Sequence, residues 1–395
     1  MKVVWLCSYP ISLLNNIPVT YSKKSTHYPS WIVNLSEAMI KYGEGVNLEL
    51  HIVSETPYIS KSFFLEQDNI KFHIIRSASA VPFLLRGFPD FFPFDVLTSF
   101  HYNKKKLLSE IDKIRPDIIH SHGTEYSYSL TAIFSNILSV ISIQGIVAEL
   151  IKYNFNLRYF ITKYLEKRTI RKGKHFIAKS PFAERYIRAL NTNAMIYELE
   201  NPVNEKFFNT KRNKKGKFIL FVGSIIREKG IEVLLKAMEA VPNVHLKIIG
   251  SGKPEYIKCL NINAFEYGIH NRIEFLGQLN NLDIIAELEN ASILVLPSFI
   301  ETSPNVIAEA MCAGVPVIGT NIGGIPYFIQ DGQTGFLIPP NNSQELASKI
   351  NLLINDSDLM DIMGRKGQLM AINRFHPTLA AKKIISIYND ILRVD

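Results

Sequence analysis

Two glutamates eight positions apart, Glu301 and Glu309, are the residues of this chain whose types and spacing best suit chemistry. The apolar run Ile293–Leu296 predicts a buried strand that ends shortly before Glu301. In open parallel sheets, ligands bind beyond the carboxyl ends of the strands. Glu301 is therefore predicted to lie in a loop that faces a ligand.

A helix is predicted to begin directly after that loop. Ser303 is a favoured N-cap residue and Pro304 a favoured first helical residue, so Glu309 would lie on the second turn. The N–H groups at a helix N-terminus bind anions such as a diphosphate, while carboxylates can hold sugar hydroxyls. The alternative is that Glu309 is an ordinary acid on a helix surface. The residues of this segment predicted to contact the ligand are Ser303, Pro304, Asn305, Val306 and Glu309.

A glycine-containing loop with two cations follows another predicted strand, Phe218–Val222. Gly223 and Ser224 begin this loop, and Arg227 and Lys229 follow before a predicted helix. Two cations and the N–H groups of a helix terminus can bind a phosphate. The alternative is a solvated turn with two surface cations.

Two further glycine pairs also follow predicted strands. Gly250 and Gly252 lack the spacing of a P-loop or of a dinucleotide fingerprint, but they would let a base or a ribose approach the backbone. The pair Gly323 and Gly324 likewise allows close approach of a ligand. Asp356-Ser-Asp358 has the form of a metal-binding motif, yet its position between two helical segments favours helix capping.

The elements that must position these residues form a repeated pattern. Short apolar strands alternate with helix-like segments, which predicts parallel sheets covered by helices on both faces. The pattern begins again at Phe218 after the charged segment 210–217, and 395 residues suit two domains. We therefore predict an α/β protein with a first domain over 1–208, a second over 209–376 and a C-terminal helix in 377–395.

Charge is distributed unevenly between these halves. Residues 1–206 hold 25 basic and 18 acidic side chains, whereas the rest of the chain holds 19 and 18. A basic half suits binding to nucleic acid or to an anionic membrane. Because no helix-turn-helix or zinc pattern is present, we expect no nucleic-acid partner.

Location is predicted from the cysteines and from the length of the apolar runs. Cys7, Cys259 and Cys312 have no metal-binding or disulfide-like spacing, which is typical of buried thiols in a reducing cytosol. No run reaches the roughly 18 apolar residues of a membrane span. We expect a cytoplasmic protein that can touch a membrane without crossing it.

Taken together, the loop motifs resemble those of GT-B-fold glycosyltransferases of family 4 type, which are retaining enzymes. The resemblance is densest over 218–340 and extends to the first half and to the final helix. The matching runs are Gly223 to Gly230, Glu301-x7-Glu309, Glu309-Ala-Met-Cys-Ala-Gly-Val-Pro, Gly323-Gly324-Ile-Pro, Asp331-Gly-Gln-Thr-Gly-Phe-Leu, Pro116-Asp-Ile-Ile-His120-Ser-His122 and Asn201-Pro-Val-Asn204.

The resemblance implies two Rossmann-like, doubly wound domains that face each other across a cleft, with the final helix packed back on the first domain. It also implies the roles of the site residues. Glu301 would position the donor sugar, Glu309 would bind the ribose, and Lys229 would grip the diphosphate. No cofactor and no metal would be needed, and a UDP-sugar is the favoured donor.

The sequence also departs from the family pattern. Ser224 stands where the family often has arginine, and Arg227 is expected to supply that charge. Gln144 stands where histidine is usual, so it can form hydrogen bonds but cannot transfer protons. We place His122 and Gln144 on the acceptor side of the site.

Two aromatic segments of the first half have alternative interpretations. The segment 150–175 is basic and rich in aromatic residues, as in helices that lie on an anionic bilayer, but its aromatic face could equally pack inside the domain. The segment 81–94 carries five phenylalanines, and packing against the core is favoured over an apolar wall near the acceptor.

The function that these features predict is retaining transfer of a sugar from a nucleoside diphosphate to a glycan or lipid-linked glycan, as in the synthesis of cell-surface polysaccharides. One alternative is a nucleotide-sugar epimerase of the same fold, which would need no acceptor. Another is a non-catalytic glycan- or membrane-binding subunit, suggested by Gln144, Ser224 and Tyr327.

Overall fold

The computed structural model describes residues 1–20, 30–43, 47–77, 94–153, 156–213 and 218–394. These residues form two compact units: unit 1 is Met1–Glu200 with Ala380–Asp395, and unit 2 is Asn201–Leu379. Of the phenylalanine-rich segment 81–94, all but Phe94 lies outside the described residues.

The first segment of unit 1 ends at Glu200, eight residues before the predicted domain boundary at residue 208. The segment 201–208 belongs to unit 2 because its apolar side chains, including Val203 and Phe207, are part of that unit's core. The backbone N–H of Val203 also donates to the carbonyl of Phe375, 3.0 Å away. Core packing therefore sets the division at residue 200, upstream of the charged segment that suggested a linker.

The sheet of unit 1 has eight strands in the order β3-β4-β2-β1-β5-β6-β7-β8. All neighbouring strands run parallel except β3 and β4, which form an antiparallel hairpin at one edge. The central strand β1 is almost wholly buried, as expected for a parallel sheet covered on both faces. The strands are β1 Lys2–Leu6, β2 Glu49–Thr56, β3 Phe63–Gln67, β4 Ile70–Arg76, β5 Ile118–His122, β6 Ser139–Ile143, β7 His175–Ala178 and β8 Met195–Glu198.

The sheet of unit 2 has six parallel strands in the order β11-β10-β9-β12-β13-β14. Strands β9 and β12 are neighbours at its centre, so the loops that follow them lie side by side. The strands are β9 Phe218–Val222, β10 His245–Ile249, β11 Ile273–Gly277, β12 Ala291–Leu296, β13 Val317–Thr320 and β14 Gly335–Ile338.

Helices follow most strands in both units, which confirms the predicted α/β class with parallel, Rossmann-like sheets. In unit 1 they are α1 Ser30–Tyr42, α2 Phe94–Leu97, α3 His101–Ile114, α4 Ser127–Phe134, α5 Val147–Leu150, α6 Leu157–Lys172 and α7 Pro181–Leu190. In unit 2 they are α8 Glu205–Phe208, α9 Ile231–Met238, α10 Pro254–Glu266, α11 Asn281–Asn290, α12 Asn305–Cys312, α13 Ile325–Phe328, α14 Ser343–Asn355 and α15 Ser357–Phe375.

The last helix, α16 Pro377–Val394, places most of its length in unit 1. Tyr388 on this helix is fully buried, and its hydroxyl lies 2.9 Å from Nε1 of Trp5 and 2.6 Å from Nδ1 of His120. These two contacts join the end of the chain to the centre of the first sheet.

The predicted burial of the three cysteine thiols holds at two of the three positions. Cys7 and Cys312 are buried, but Cys259 is exposed on α10, so the prediction of three buried thiols was wrong at that position. The apolar side chains that α10 buries are Leu260 and Ala264, and Cys259 lies outside that face. Among the residues described, no helix is both long enough and apolar enough to cross a membrane.

Candidate functional site

Lys229 and Glu301 form an ion pair at the carboxyl edge of the second sheet. The Nζ of Lys229 donates to Oε1 of Glu301, and the hydroxyl of Ser298 lies 3.4 Å from the same oxygen. The side chains of Lys229 and Glu301 remain 23% and 11% exposed. The two residues that the sequence singled out on separate loops are therefore in contact, with some access to solvent.

The loops after β9 and β12 are held together through their backbones. The N–H of Phe299 donates to the carbonyl of Glu228 over 2.8 Å. Gly230 has φ of +66°, and a Cβ at this position would overlap the carbonyl oxygen of Pro297. Only glycine combines this backbone conformation with this close approach, so Gly230 fixes the distance between Lys229 and the second loop.

The glycine pair after β13 supports the backbone of Glu301. Gly323 has φ of +54°, and a Cβ there would overlap the carbonyl oxygen of Glu301. The N–H of Gly324 donates to that same carbonyl over 2.8 Å. The sequence suggested close approach of a ligand to these glycines, whereas the structure shows close approach of the Glu301 loop.

Helix α12 begins one residue later than predicted. Pro304 has φ −77° and ψ 96°, so it is the N-cap residue and Asn305 is the first helical residue. Ser303, the predicted N-cap, lies outside the helix, and its hydroxyl is buried without a hydrogen-bond partner. The Oδ1 of Asn305 accepts from Nδ2 of Asn201 over 3.2 Å, and Val306 packs partly buried against the core.

Glu309 is a buried carboxyl on the second turn of α12. Its residue is only 9% exposed, and burial raises the pKa of its carboxyl to about 7. Within the described part of the chain, no hydrogen-bond donor or cation contacts it. The carboxylate oxygens are not among the fully buried polar atoms that lack a partner, so they keep a small opening to solvent, at which a bound molecule can supply donors. The alternative of an ordinary acid on a helix surface therefore does not hold for Glu309.

The glycines of the loops after β9 and β10 pack against each other. A Cβ at Gly250 would overlap the carbonyl oxygen of Gly223, and one at Gly252 would overlap that of Ile225. The N–H of Ile225 donates to the carbonyl of Ser251 over 2.8 Å. These glycines are therefore required for loop packing, whatever else they contact.

The remaining cation of the first loop lies on the surface. Arg227 is exposed in the 3-10 turn Arg227–Lys229, while Ser224 on the same loop is half-buried. No ion pair involves Arg227 among the residues that the structure describes. Its guanidinium is therefore accessible to a ligand.

The two acceptor-side residues lie at the carboxyl edge of the first sheet. His122 ends β5 and Gln144 follows β6, the neighbouring strand. His122 is 5% exposed, and its ring centroid lies 4.9 Å from that of Trp5 and 5.5 Å from that of Trp31. Gln144 is half-buried.

Two ionisable residues at this edge were not predicted from sequence. Glu125 accepts a hydrogen bond from the N–H of Thr124 over 2.8 Å, and burial raises its pKa to about 7. Lys179 follows β7 and is buried. The signal available in the sequence was a lysine between an apolar strand and the helix start Ser180-Pro181, where a charged side chain has little access to water.

The metal-like motif at 356–358 has a structural role. Oδ1 of Asp356 accepts from the N–H of Leu359 over 2.9 Å, which caps α15 and confirms the predicted capping role. In the part of the chain that the structure describes, no group of three His, Cys, Asp or Glu side chains is arranged to hold a metal ion.

Two family models match the two halves of the chain. Residues 202–370 match the model "Glycosyl transferases group 1", and residues 32–207 match "Glycosyltransferase Family 4". An uncharacterized glycosyltransferase of Methanocaldococcus jannaschii is 30% identical over 255 residues, which cover 64% of this chain and 69% of that protein. The capsular polysaccharide biosynthesis glycosyltransferase CapM of Staphylococcus aureus is 26% identical, with 91% of this chain and 95% of that protein covered.

Solved structures with the same fold include a sucrose-phosphate synthase from Thermosynechococcus elongatus, with a TM-score of 0.82 at 19% identity and full coverage of both chains. Anabaena HepE, solved in complex with UDP-glucose, has a TM-score of 0.73 at 17% identity and covers 99% of this chain and 100% of its own. At these identities the likeness concerns the fold alone.

Proposed function

We propose a specific reaction for this chain, which belongs to the group 1, family 4 type of glycosyltransferases with the GT-B fold. It transfers a sugar from a nucleoside diphosphate with retention of configuration. The acceptor would be a hydroxyl of a glycan or lipid-linked glycan. Glycosyl transfer itself follows from the family; the donor, the acceptor and the stereochemistry belong to the proposal.

The buried carboxyl of Glu309 is the observation that carries the proposal. It lies on the second turn of a helix that begins close after Glu301, and Glu301 contacts Lys229. A ribose offers two hydroxyl donors to such a carboxyl, and a diphosphate offers acceptors to Lys229 and to the N–H groups at the start of α12. A nucleoside diphosphate therefore satisfies both groups with one molecule.

Chemistry at this site would be electrostatic rather than covalent. The leaving diphosphate would accept the proton of the attacking hydroxyl on the same face of the sugar, which retains the configuration without a protein nucleophile. Lys229, with Arg227 and the α12 N-terminus, would stabilise the charge that develops on the diphosphate. Glu301 would orient the sugar and hold Lys229 in place.

A UDP-sugar is the favoured donor, because the HepE structure of the same fold contains UDP-glucose. The likeness to CapM supports an acceptor in cell-surface polysaccharide synthesis. We expect transfer to need no divalent metal, so that EDTA leaves the rate unchanged, and we place the protein in the cytoplasm.

Helix α6 would bring the protein to the inner face of the membrane. Leu157, Phe160 and Tyr164 on this helix are 47%, 39% and 55% exposed, beside a row of lysines and arginines. Exposed aromatic and basic side chains on one helix favour the interface of an anionic bilayer. The buried residues of α6 are instead Thr162, Leu165, Glu166, Thr169 and Ile170.

A thermal-shift screen against UDP-, GDP- and ADP-sugars tests the proposal. A ligand that binds only the folded state raises the melting temperature, and we expect one base to be preferred. Incubation with the donor alone distinguishes transfer from epimerisation, because an epimerase changes the sugar without an acceptor. No response to any nucleotide sugar would contradict the proposal.

A further inference from the structure

A second cluster of buried basic side chains lies at the carboxyl edge of the first sheet. In the register of the parallel strands, His122 of β5 lies opposite Ser142 of β6, and Ser142 lies opposite Ile177 of β7. Because side chains alternate along a strand, Lys179 lies on the same face as Ile177 and His122. Two strand spacings separate β5 from β7, or about 10 Å, a span that a lysine side chain can largely bridge.

Lys179 is a buried amine without a partner. The residue is 1% exposed, and its Nζ donates no hydrogen bond to, and forms no ion pair with, any of the described residues. Burial lowers the pKa of this amine to about 7, and the charge of Glu200 opposes that shift only in part. Such a group weakens the fold unless a ligand contacts it.

His122 also has buried nitrogens without hydrogen-bond partners, whereas both nitrogens of the nearby His120 have partners. Both ring nitrogens of His122 are buried without partners. The nitrogens of His120 lie 2.6 Å from the hydroxyl of Tyr388 and 2.7 Å from that of Ser142. The inner histidine thus anchors the fold, while the outer histidine and Lys179 keep unused hydrogen-bonding groups at the sheet edge.

We propose that Lys179 and His122 form a subsite for a phosphate group carried by the acceptor. This inference rests on the proposed function, since it states the charge of the acceptor that the enzyme would use. Phosphate oxygens accept hydrogen bonds from an ammonium and from an imidazole N–H. In the described part of the chain the charge of Glu200 acts on Lys179, but no carboxylate forms a hydrogen bond with its Nζ that would compete with a bound anion.

A phosphate titration of four proteins tests the subsite: wild type, Lys179→Met, Lys105→Met and Lys229→Met. Sodium phosphate is compared with sodium chloride at equal ionic strength, and the melting temperature is measured. Lys105 is an exposed lysine of the same unit and controls for loss of charge. Lys229 controls for phosphate that binds at the predicted donor site.

We expect phosphate to raise the melting temperature of wild type, Lys105→Met and Lys229→Met. Lys179→Met should melt at least about 3 °C higher than wild type without phosphate, because a buried amine is replaced by an apolar side chain of similar size. Its affinity for phosphate should fall at least about tenfold. The inference would be overturned if phosphate did not shift the melting temperature of wild type, or if it shifted that of Lys179→Met as much as that of wild type. It would also be overturned if only Lys229→Met lost the shift.

The source of the phosphate is distinguished by two further ligands. Glucose 6-phosphate is compared with glucose by thermal shift, and vesicles of phosphatidylglycerol are compared with phosphatidylcholine by co-sedimentation. A response that depends on Lys179 in either arm supports the subsite and identifies a sugar phosphate or a lipid phosphate. If neither the response to glucose 6-phosphate nor the binding to phosphatidylglycerol vesicles depends on Lys179, the subsite is contradicted.

UDP separates failure of this inference from failure of the proposed function. Lys179→Met should bind UDP as wild type does, which also shows that the variant is folded. If wild type binds no UDP, the proposed function is contradicted whatever the phosphate titration shows. If UDP binds but phosphate does not depend on Lys179, only the subsite is contradicted.

Discussion

Glu309 shows most directly how a single residue connects stability with function. Its residue is 9% exposed, and burial alone raises the pKa of its carboxyl to about 7. The folded chain therefore holds the proton more tightly than an unfolded chain, whose glutamates titrate near pH 4.3. Stability from this group is fully present below pH 4 and is lost as the pH rises through about 7.

Glu309→Gln should accordingly stabilise the protein only where the glutamate is ionised. At pH 8 we expect a gain of up to about 3 kcal/mol in the free energy of unfolding, and at pH 4 almost none. Melting curves of both proteins across this range measure the difference. A variant that is less stable than wild type at every pH would show that Glu309 has an internal partner.

The pair of Lys229 and Glu301 makes the second residue-scale prediction. Lys229→Met and Glu301→Gln should each reduce release of UDP from a UDP-sugar at least about a hundredfold, since each removes a group that acts on the transition state. Lys236→Met is the matched control, because Lys236 forms an ion pair with Glu239 in which both side chains are 48% exposed.

Circular dichroism should show all three proteins folded. Loss of activity in Lys236→Met, or full activity in both site variants, would contradict the roles assigned to Lys229 and Glu301.

Residue types, their spacing and the family resemblance identified these three positions, but not how the loops hold them. The roles of Gly323 and Ser303 depend on contacts between segments far apart in sequence, such as Gly323 against the Glu301 carbonyl. Lys179 was not predicted because a single lysine after a strand usually lies in solvent. Its burial is set by tertiary packing that no local pattern reports.

At the scale of elements, the loop after β9 depends on one glycine. Gly230→Ala would place a methyl group onto the carbonyl of Pro297. Gly268→Ala is the matched control, because Gly268 has the same φ of +66° with no atom within 4 Å of the added methyl. We expect Gly268→Ala to cost about 1 kcal/mol for its backbone alone, and Gly230→Ala clearly more.

Urea denaturation of the two variants measures this difference. Gly230→Ala should also bind UDP more weakly, because the loop carrying Lys229 must shift. Equal destabilisation by both substitutions would mean that the loop after β9 relaxes freely.

Predicted strands agree with the structure where an apolar run within one segment indicates them. The strand Phe218–Val222 lies where its apolar run predicted it, and the predicted strand Ile293–Leu296 lies within β12, Ala291–Leu296. The hairpin of β3 and β4 was missed, although Asp68 and Asn69 between them adopt φ of +53° and +59°, the left-handed conformation of a tight turn.

Helix α15 begins at the capping motif 356–358, where the sequence places a helical segment. Gly364 and Gly367 lie inside it, and glycine lowers helix propensity. In the structure a Cβ at Gly364 would overlap the carbonyl of Gly314, which follows α12. The glycine thus allows close packing of two segments, a reason that propensity does not contain.

At the scale of the whole molecule, the two halves of the chain carry different charge. The surplus of seven basic side chains lies in residues 1–206, and much of it is on α6. The buried face of α6 is anchored by Glu166, which accepts hydrogen bonds from Tyr186 and Thr124 over 2.7 and 2.8 Å. The opposite face is exposed, and the interpretation of a fully packed aromatic face does not hold for Phe160 and Tyr164.

The double substitution Phe160→Ser with Tyr164→Ser tests membrane binding by this face. Because both side chains are exposed, stability should change by no more than about 1 kcal/mol, while binding to phosphatidylglycerol vesicles should weaken. Phe265→Ser is the control, since Phe265 is 70% exposed on unit 2. Undiminished vesicle binding by the double variant would assign the charge of unit 1 another role.

The central claim is that unit 2 binds a nucleoside diphosphate through Lys229 and Glu309, and calorimetric titration with UDP tests it most directly. We predict one site per chain in wild type and in Lys236→Met, with affinity lowered at least about tenfold in Lys229→Met and in Glu309→Gln. No binding of UDP, GDP or ADP by wild type, or wild-type affinity in both site variants, would contradict it.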